Sequence, residues 1–161
     1  MIILGIDPGL ATIGYGIISS VKGKHHPIEY GTVRTKPRTL LEHRLEKIYD
    51  DIEKIIVRHK IDAVSIEEVF FNTNVTTAID VCQARGVILL AATKHGIPIY
   101  EYTPLQVKQA VVGYGRAEKQ QIIYMTKLLL NLAESVKPDD TADALALAIC
   151  HANTNQSILQ R

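Results

Sequence analysis

The sequence predicts an α/β domain, in which a mixed central β-sheet of a three-strand antiparallel meander plus two parallel strands is flanked by helices. Two observations predict it. Short aliphatic runs at residues 2–6, 63–66 and 97–102 are separated by long stretches of helical periodicity, the pattern of strands joined by helical crossovers. The first three strand-like runs instead follow one another with only polar turns between them, which suits a meander.

Residues 2–6 (IILGI) are apolar without alternation, as in a strand covered on both faces, and the run stops at Asp7-Pro8-Gly9. Residues 14–20 (GYGIISS) and 28–34 (IEYGTVR) read as the next two strands, separated by a polar turn over residues 22–27. Thr39 followed by Glu42 matches a capping box, and Leu41, Leu45, Ile48, Ile52 and Ile55 recur at helical spacing, predicting an amphipathic helix to about His59. The strand at 63–66 ends in Glu67-Glu68, and a polar loop with Asn72, Thr73 and Asn74 leads into a helix from about Thr76 to His95, closed by Gly96. That helix carries Val81, Cys82, Ala84, Val87 and Leu89 on more than one side, so burial or a second subunit is expected to cover it. After the strand at 97–102, Pro104 starts a short helix to about Val111, and Gly113-Tyr114-Gly115 links it to a helix over 117–130. Pro138-Asp139-Asp140 opens the last helix, with residues 153–161 expected as a polar, frayed tail.

A length of 161 residues with 47% hydrophobic content suits one domain spanning the chain. Lys plus Arg number 18 against 17 acidic residues, so contact with a polyanion has to come from local clustering. Cys82 and Cys150 form no CxxC and lie in apolar helical runs, which points to buried thiols in a reducing compartment. With no signal-peptide pattern and no apolar stretch long enough to cross a bilayer, the expectation is a soluble, cytoplasmic protein without membrane contact.

The chemistry-bearing residues are acids placed where strands end or helices begin. Asp7 follows a buried strand, where an unpaired carboxylate is costly, although Asp-Pro-Gly is also an ordinary turn. Of Glu67 and Glu68 only one can share its face, because strand side chains alternate. Asp139, Asp140 and Asp143 lie in the first turn of the last helix, where the macrodipole alone favours acids; capping needs only one, and either Asp139 or Asp140 could join Asp143 as a ligand. Converging carboxylates with no Lys or Arg close by suit a divalent cation, for which magnesium is the natural candidate.

Taken together, the motifs GIDPG (5–9), TIGYG (12–16), IEEVF (66–70), QARGV (83–87), QVKQAVVGYGRAEKQQ (106–121) and DDTADALALAICH (139–151) resemble the RuvC family of Holliday junction resolvases, in the RNase H-like superfamily. The resemblance covers nearly the whole chain. It implies a crossover junction endodeoxyribonuclease, a nuclease of DNA recombination and repair that nicks two strands of a four-way DNA junction symmetrically and leaves 5′-phosphate and 3′-hydroxyl ends. It implies metal-binding, catalytic acids at Asp7, Glu67, Asp140 and Asp143, selecting Glu67 over Glu68 and Asp140 over Asp139. The expected cofactor is Mg2+, two ions per site with Mn2+ as a substitute, acting by two-metal hydrolysis of the phosphodiester. DNA-binding roles fall on Lys108 and Lys119 as phosphate contacts, on Phe70 as an aromatic wedge at the junction, and on Arg116; Arg85 is either a junction anchor or an ion-pair partner. The two-fold symmetry of the cut strands suggests a homodimer, with the helix around residues 81–89 as its face, and the resemblance implies the branch-migration proteins RuvA and RuvB as partners. Two rivals are weaker. An actin-like ATPase or sugar kinase needs a second phosphate loop and an adenosine site, neither of which is found, and a non-catalytic junction-binding module needs no acidic tetrad.

Overall fold

The structure is a computed structural model and describes residues 1–68 and 75–159. Three strands come first, β1 (Ile2–Asp7), β2 (Thr12–Val21) and β3 (Lys24–Arg34), followed by helix α1 (Leu41–Arg58) and strand β4 (Ala63–Glu67). Helix α2 (Val75–Lys94), strand β5 (Ile99–Tyr102) and helices α3 (Pro104–Val112), α4 (Lys119–Leu129) and α5 (Asp139–Leu159) complete the chain. The sheet has five strands in the order β3-β2-β1-β4-β5. β1, β2 and β3 pair antiparallel, while β4 and β5 add parallel to β1. The predicted mixed sheet is therefore present, with β1 at its centre.

Each face has its own core. Leu4, Ile6, Ile13, Ile17, Val64 and Ile66 pack against α1 and α2, where Ile48, Ile52 and Ile88 are fully buried. Ile3 and Ile18 pack against α5, which is covered in turn by α3 and α4. The sandwiching of β1 and β4 explains their continuous apolar runs.

α5 lies on the sheet at unusually short range, and glycines make that possible. A Cβ at Gly5 would stand 1.9 Å from the Ala144 carbonyl oxygen, one at Gly14 1.9 Å from that of Asp140, and one at Gly16 2.6 Å from the Leu145 side chain. Three bare backbone positions on neighbouring strands thus form a bed that fixes the height and axial position of α5.

Several boundaries differ from the sequence expectation. The turn between β2 and β3 is only Lys22-Gly23, both with positive φ (49° and 79°), the twist a two-residue hairpin needs. β3 therefore begins at Lys24, and Pro27 is accommodated on this edge strand where the register shifts between Ile17 and Ile18. α1 takes Leu40 as its N-cap with no side-chain cap, so Thr39 and Glu42 form no capping box there. α5 continues to Leu159, past the expected start of the tail at 153; Asn153 is tied down by Nδ2 donating to the Ala110 carbonyl at 3.0 Å. No helix among the described residues is long and apolar enough to cross a membrane.

Candidate active site

Asp7 ends β1, and the parallel pairing of Ile6 with Ile66 brings Glu67 alongside it at the end of β4. Ser65 donates to the Leu147 carbonyl of α5 at 2.7 Å, so by strand alternation Glu67 faces α5 and Glu68 faces away. The glycine bed sets the first turn of α5 across the same sheet end, which carries Asp143 to Asp7 and Glu67. These three carboxylates line a cavity of about 270 Å3 together with Lys108, Lys119, Pro104, Val107, Ile122 and Leu147.

The lysines arrive from the other side. Thr103 caps α3 directly after β5, its Oγ1 accepting from Gln106 N at 3.2 Å while Gln106 Oε1 accepts from Thr103 N at 2.8 Å, and Lys108 follows one turn on. Lys119 is the first residue of α4, whose start is fixed by Gln121 Oε1 accepting from Glu118 N at 2.8 Å. The apolar wall has no signal in the sequence apart from Leu147, which lies four residues after Asp143 on one helix face.

Electrostatics at this cavity are those of excess negative charge. Burial, reinforced by Glu67, Asp143 and Asp140, pushes the Asp7 carboxyl from 3.8 up to about 8, despite the opposing Lys119 charge. Burial and the Asp143 charge likewise raise Glu67, to which the Asp7 carboxyl is hydrogen-bonded. Asp143 is raised by burial against the pull of Lys119. Lys119 Nζ stands 3.0 Å from Asp143 Oδ2 and 3.5 Å from Asp139 Oδ2; burial works against its charge, but these acids outweigh it and hold its pKa above the usual range. The expectation of a carboxylate cluster with no lysine close by is thus corrected: one ammonium sits within it.

Among the described residues no group of three or more His, Cys, Asp or Glu is set closely enough to hold a metal ion as it stands. The chemistry of the donors nonetheless fits a hard divalent cation. The cluster offers oxygen ligands only, and burial together with the neighbouring carboxylates raises the Asp7 carboxyl to about 8, a charge deficit that a bound cation would relieve.

The remaining predicted residues divide. Asp140 does not line the cavity, yet it is near enough to act on both Asp7 and Asp143. Arg116 is exposed on the link between α3 and α4. Arg85 is not brought to the site: its Nη2 pairs with Glu101 Oε2 at 2.7 Å, its side chain is 16% exposed, and it lies on the α2 face of the sheet. Of the two roles left open for it, the ion pair is the one formed. Phe70, with Phe71, lies outside the described residues. His151 is fully buried behind the site, where its Nδ1 hydrogen-bonds Tyr102 Oη at 2.7 Å.

Comparison with known proteins agrees with this geometry. Residues 3–151 match the family described as crossover junction endodeoxyribonuclease RuvC. The crossover junction endodeoxyribonuclease RuvC of Alkaliphilus metalliredigens is 57% identical over 96% of this chain and 94% of its own length. That of Clostridioides difficile is 56% identical over 97% and 92%. The structure of Thermus thermophilus RuvC in complex with a Holliday junction substrate superimposes with a TM-score of 0.94 at 35% identity, covering 98% of this chain and 96% of that one. Such agreement extends to the whole RNase H-like sheet and its helices, and the chain belongs to the RuvC family of crossover junction endodeoxyribonucleases.

Proposed function

We propose that Asp7, Glu67, Asp140 and Asp143 form the metal-binding catalytic centre with which this chain nicks four-way DNA junctions. The observation that carries this reading is the convergence of Asp7, Glu67 and Asp143 from β1, β4 and α5 on one cavity that Lys108 and Lys119 also line, where burial among like charges raises the Asp7 carboxyl. Burying like charges together is costly, and holding divalent cations in a metal-dependent nuclease is a use that offsets the cost.

Two Mg2+ ions, for which Mn2+ could substitute, would activate a water as nucleophile and neutralise the charge growing on the leaving oxygen. Asp7, Glu67 and Asp143 would hold the ions through their carboxylate oxygens, Asp7 in its deprotonated form. Asp140 completes the set from the rim. Lys108 and Lys119, which line the same cavity, would hold the non-bridging phosphate oxygens and stabilise the transition state, Lys119 exchanging its pairing with Asp143 for the phosphate. Val107, Ile122 and Leu147 exclude bulk water from one wall and strengthen these interactions. Arg116, exposed on the link between α3 and α4, would add positive charge for the DNA backbone, and Phe70 keeps its proposed role as a wedge at the junction.

A homodimer would present two such sites to the two symmetric strands. Ile79 (51% exposed), Gly86, beside which a Cβ would meet nothing, and Leu90 (53% exposed) form an apolar stripe along α2 that a second copy would cover. Cooperation with RuvA and RuvB rests on the family resemblance alone.

The test is incubation with a synthetic four-way junction and with linear duplex, with and without Mg2+. Paired nicks in the junction that require metal are expected; equal cutting of duplex, or cutting in EDTA, would overturn the reading.

A further inference from the structure

From the geometry beside the site we infer that Arg34, Lys36 and Arg38 form a second DNA-backbone contact, on the side of the catalytic cavity opposite Lys108 and Lys119. The inference rests on the junction-cutting reading and extends it to residues that no motif singled out.

Position comes first. Asp7 pairs with Gly14 and Gly14 with Thr32, so Arg34 stands two residues past the row that contains Asp7. Two strand spacings across and two residues along place its Cα about 12 Å from that of Asp7. By alternation Arg34 leaves the backbone on the same side of the sheet as Asp7, whereas Val33 belongs to the opposite core; on this edge strand Arg34 also borders the groove between β3 and α1. At a rise of about 3.4 Å per nucleotide, that separation is between about three and four nucleotides from a phosphate held at the cavity.

The second observation is how firmly this segment is tied to the catalytic strand. Thr35 N donates to the Ala11 carbonyl at 3.1 Å, and the buried Thr35 Oγ1 donates to the Leu10 carbonyl at 2.7 Å. Arg44 Nε donates to the same hydroxyl oxygen at 2.8 Å. Thr35 is thereby held against the loop that follows Asp7, with Arg34 and Lys36 on either side of it and Arg38 in the turn that follows.

Charge pairing supplies the third. Lys47 and Lys54 are both paired with Asp51, Arg58 with Glu29, and Lys119 with Asp143. Arg34, Lys36 and Arg38 are exposed and form no ion pair with any described residue. Three unneutralised cations in five residues, on a rigid mount beside the site, suit a run of phosphates. Specificity by base contacts is not expected of them, since phosphate contacts position a duplex without reading it.

The experiment measures binding of a fluorescent four-way junction in EDTA, where no cutting occurs, from 50 to 200 mM KCl. Relative to the unmodified chain, R34A/K36A/R38A is expected to bind about tenfold or more weakly at the higher salt, and its slope of log affinity against log salt should be shallower by about two to three. K22A/K24A, at the hairpin tip on the far end of the sheet, serves as the charge control and should leave the slope unchanged. The exposed side chains have no partner to lose, so thermal melts should coincide; the single variants R34A and K36A, each expected to remove about one unit of slope, carry the test if the triple variant melts early. An unchanged slope in the triple variant, or an equal loss in the control, overturns the inference. Failure of the unmodified chain to cut the junction in Mg2+ would instead sink the reading beneath it.

Discussion

Replacing Asp7 by Asn should abolish cutting and at the same time stabilise the metal-free protein. In the folded chain the Asp7 carboxyl has its pKa raised from 3.8 to about 8 by burial and by Glu67, Asp143 and Asp140. Between those values the native state holds a proton that the unfolded chain has released, so stability falls as pH rises through the window. Four units at 1.36 kcal/mol each set an upper bound of about 5 kcal/mol on the loss by pH 8. Asparagine keeps the shape and carries no charge. If relaxation around the site absorbs some of the bound, a gain of about 3 kcal/mol remains, which for a chain of this length is about 6–12 °C in Tm. Thermal melts of both proteins in EDTA at pH 5 and pH 8.5 measure it directly. The gap should open between the two pH values, while junction cutting in Mg2+ falls by at least about 10³-fold and junction binding in EDTA persists. An Asn variant that melts no higher than the parent at pH 8.5 would refute the account of strained charge at Asp7.

Three further substitutions probe the parts that build the site. Gly14→Ala puts a Cβ 1.9 Å from the Asp140 carbonyl oxygen and must lift the start of α5, so urea melts should show a loss of about 1–3 kcal/mol, and cutting should fall more than binding. Lys119→Met removes the ammonium 3.0 Å from Asp143; cutting should fall by about 10²-fold, whereas Mn2+ titrated into the DNA-free protein and followed by electron paramagnetic resonance should bind more tightly. Tyr102→Phe deletes the 2.7 Å hydrogen bond to buried His151 and should cost about 1–3 kcal/mol in urea melts, with the rate of cutting unchanged.

The sheet was legible because its central strands are covered on both faces, and that environment writes itself as an unbroken apolar run. For the same reason Asp7 and Glu67 stood out: an acid that closes such a run lies at a sheet end beside its neighbours. Asp143 was legible as part of an acidic helix start, but its companion was not, since Asp139 and Asp140 differ only in which side of the first turn they occupy. Other features depend on contacts between distant segments. Nothing around Lys119 in the sequence signals that it enters the carboxylate cluster, because that follows from how α4 packs on α5. The glycines at 5, 14 and 16 read as turn or strand residues until α5 is laid on them. Local rules also misled: the Thr39 and Glu42 pattern was overridden by the way the chain enters α1, and the polar stretch at 22–27 is mostly strand, because an edge strand tolerates polar residues and a proline.

In the proposed centre Asp7, Glu67, Asp140 and Asp143 together bind metal. Crystals soaked in Mn2+ and measured at its absorption edge test it most directly. Anomalous density is expected between Asp7, Glu67 and Asp143, with Asp140 at its edge and Lys119 swung away from Asp143. Manganese bound elsewhere, with Lys119 still paired to Asp143 at saturating metal, would contradict it.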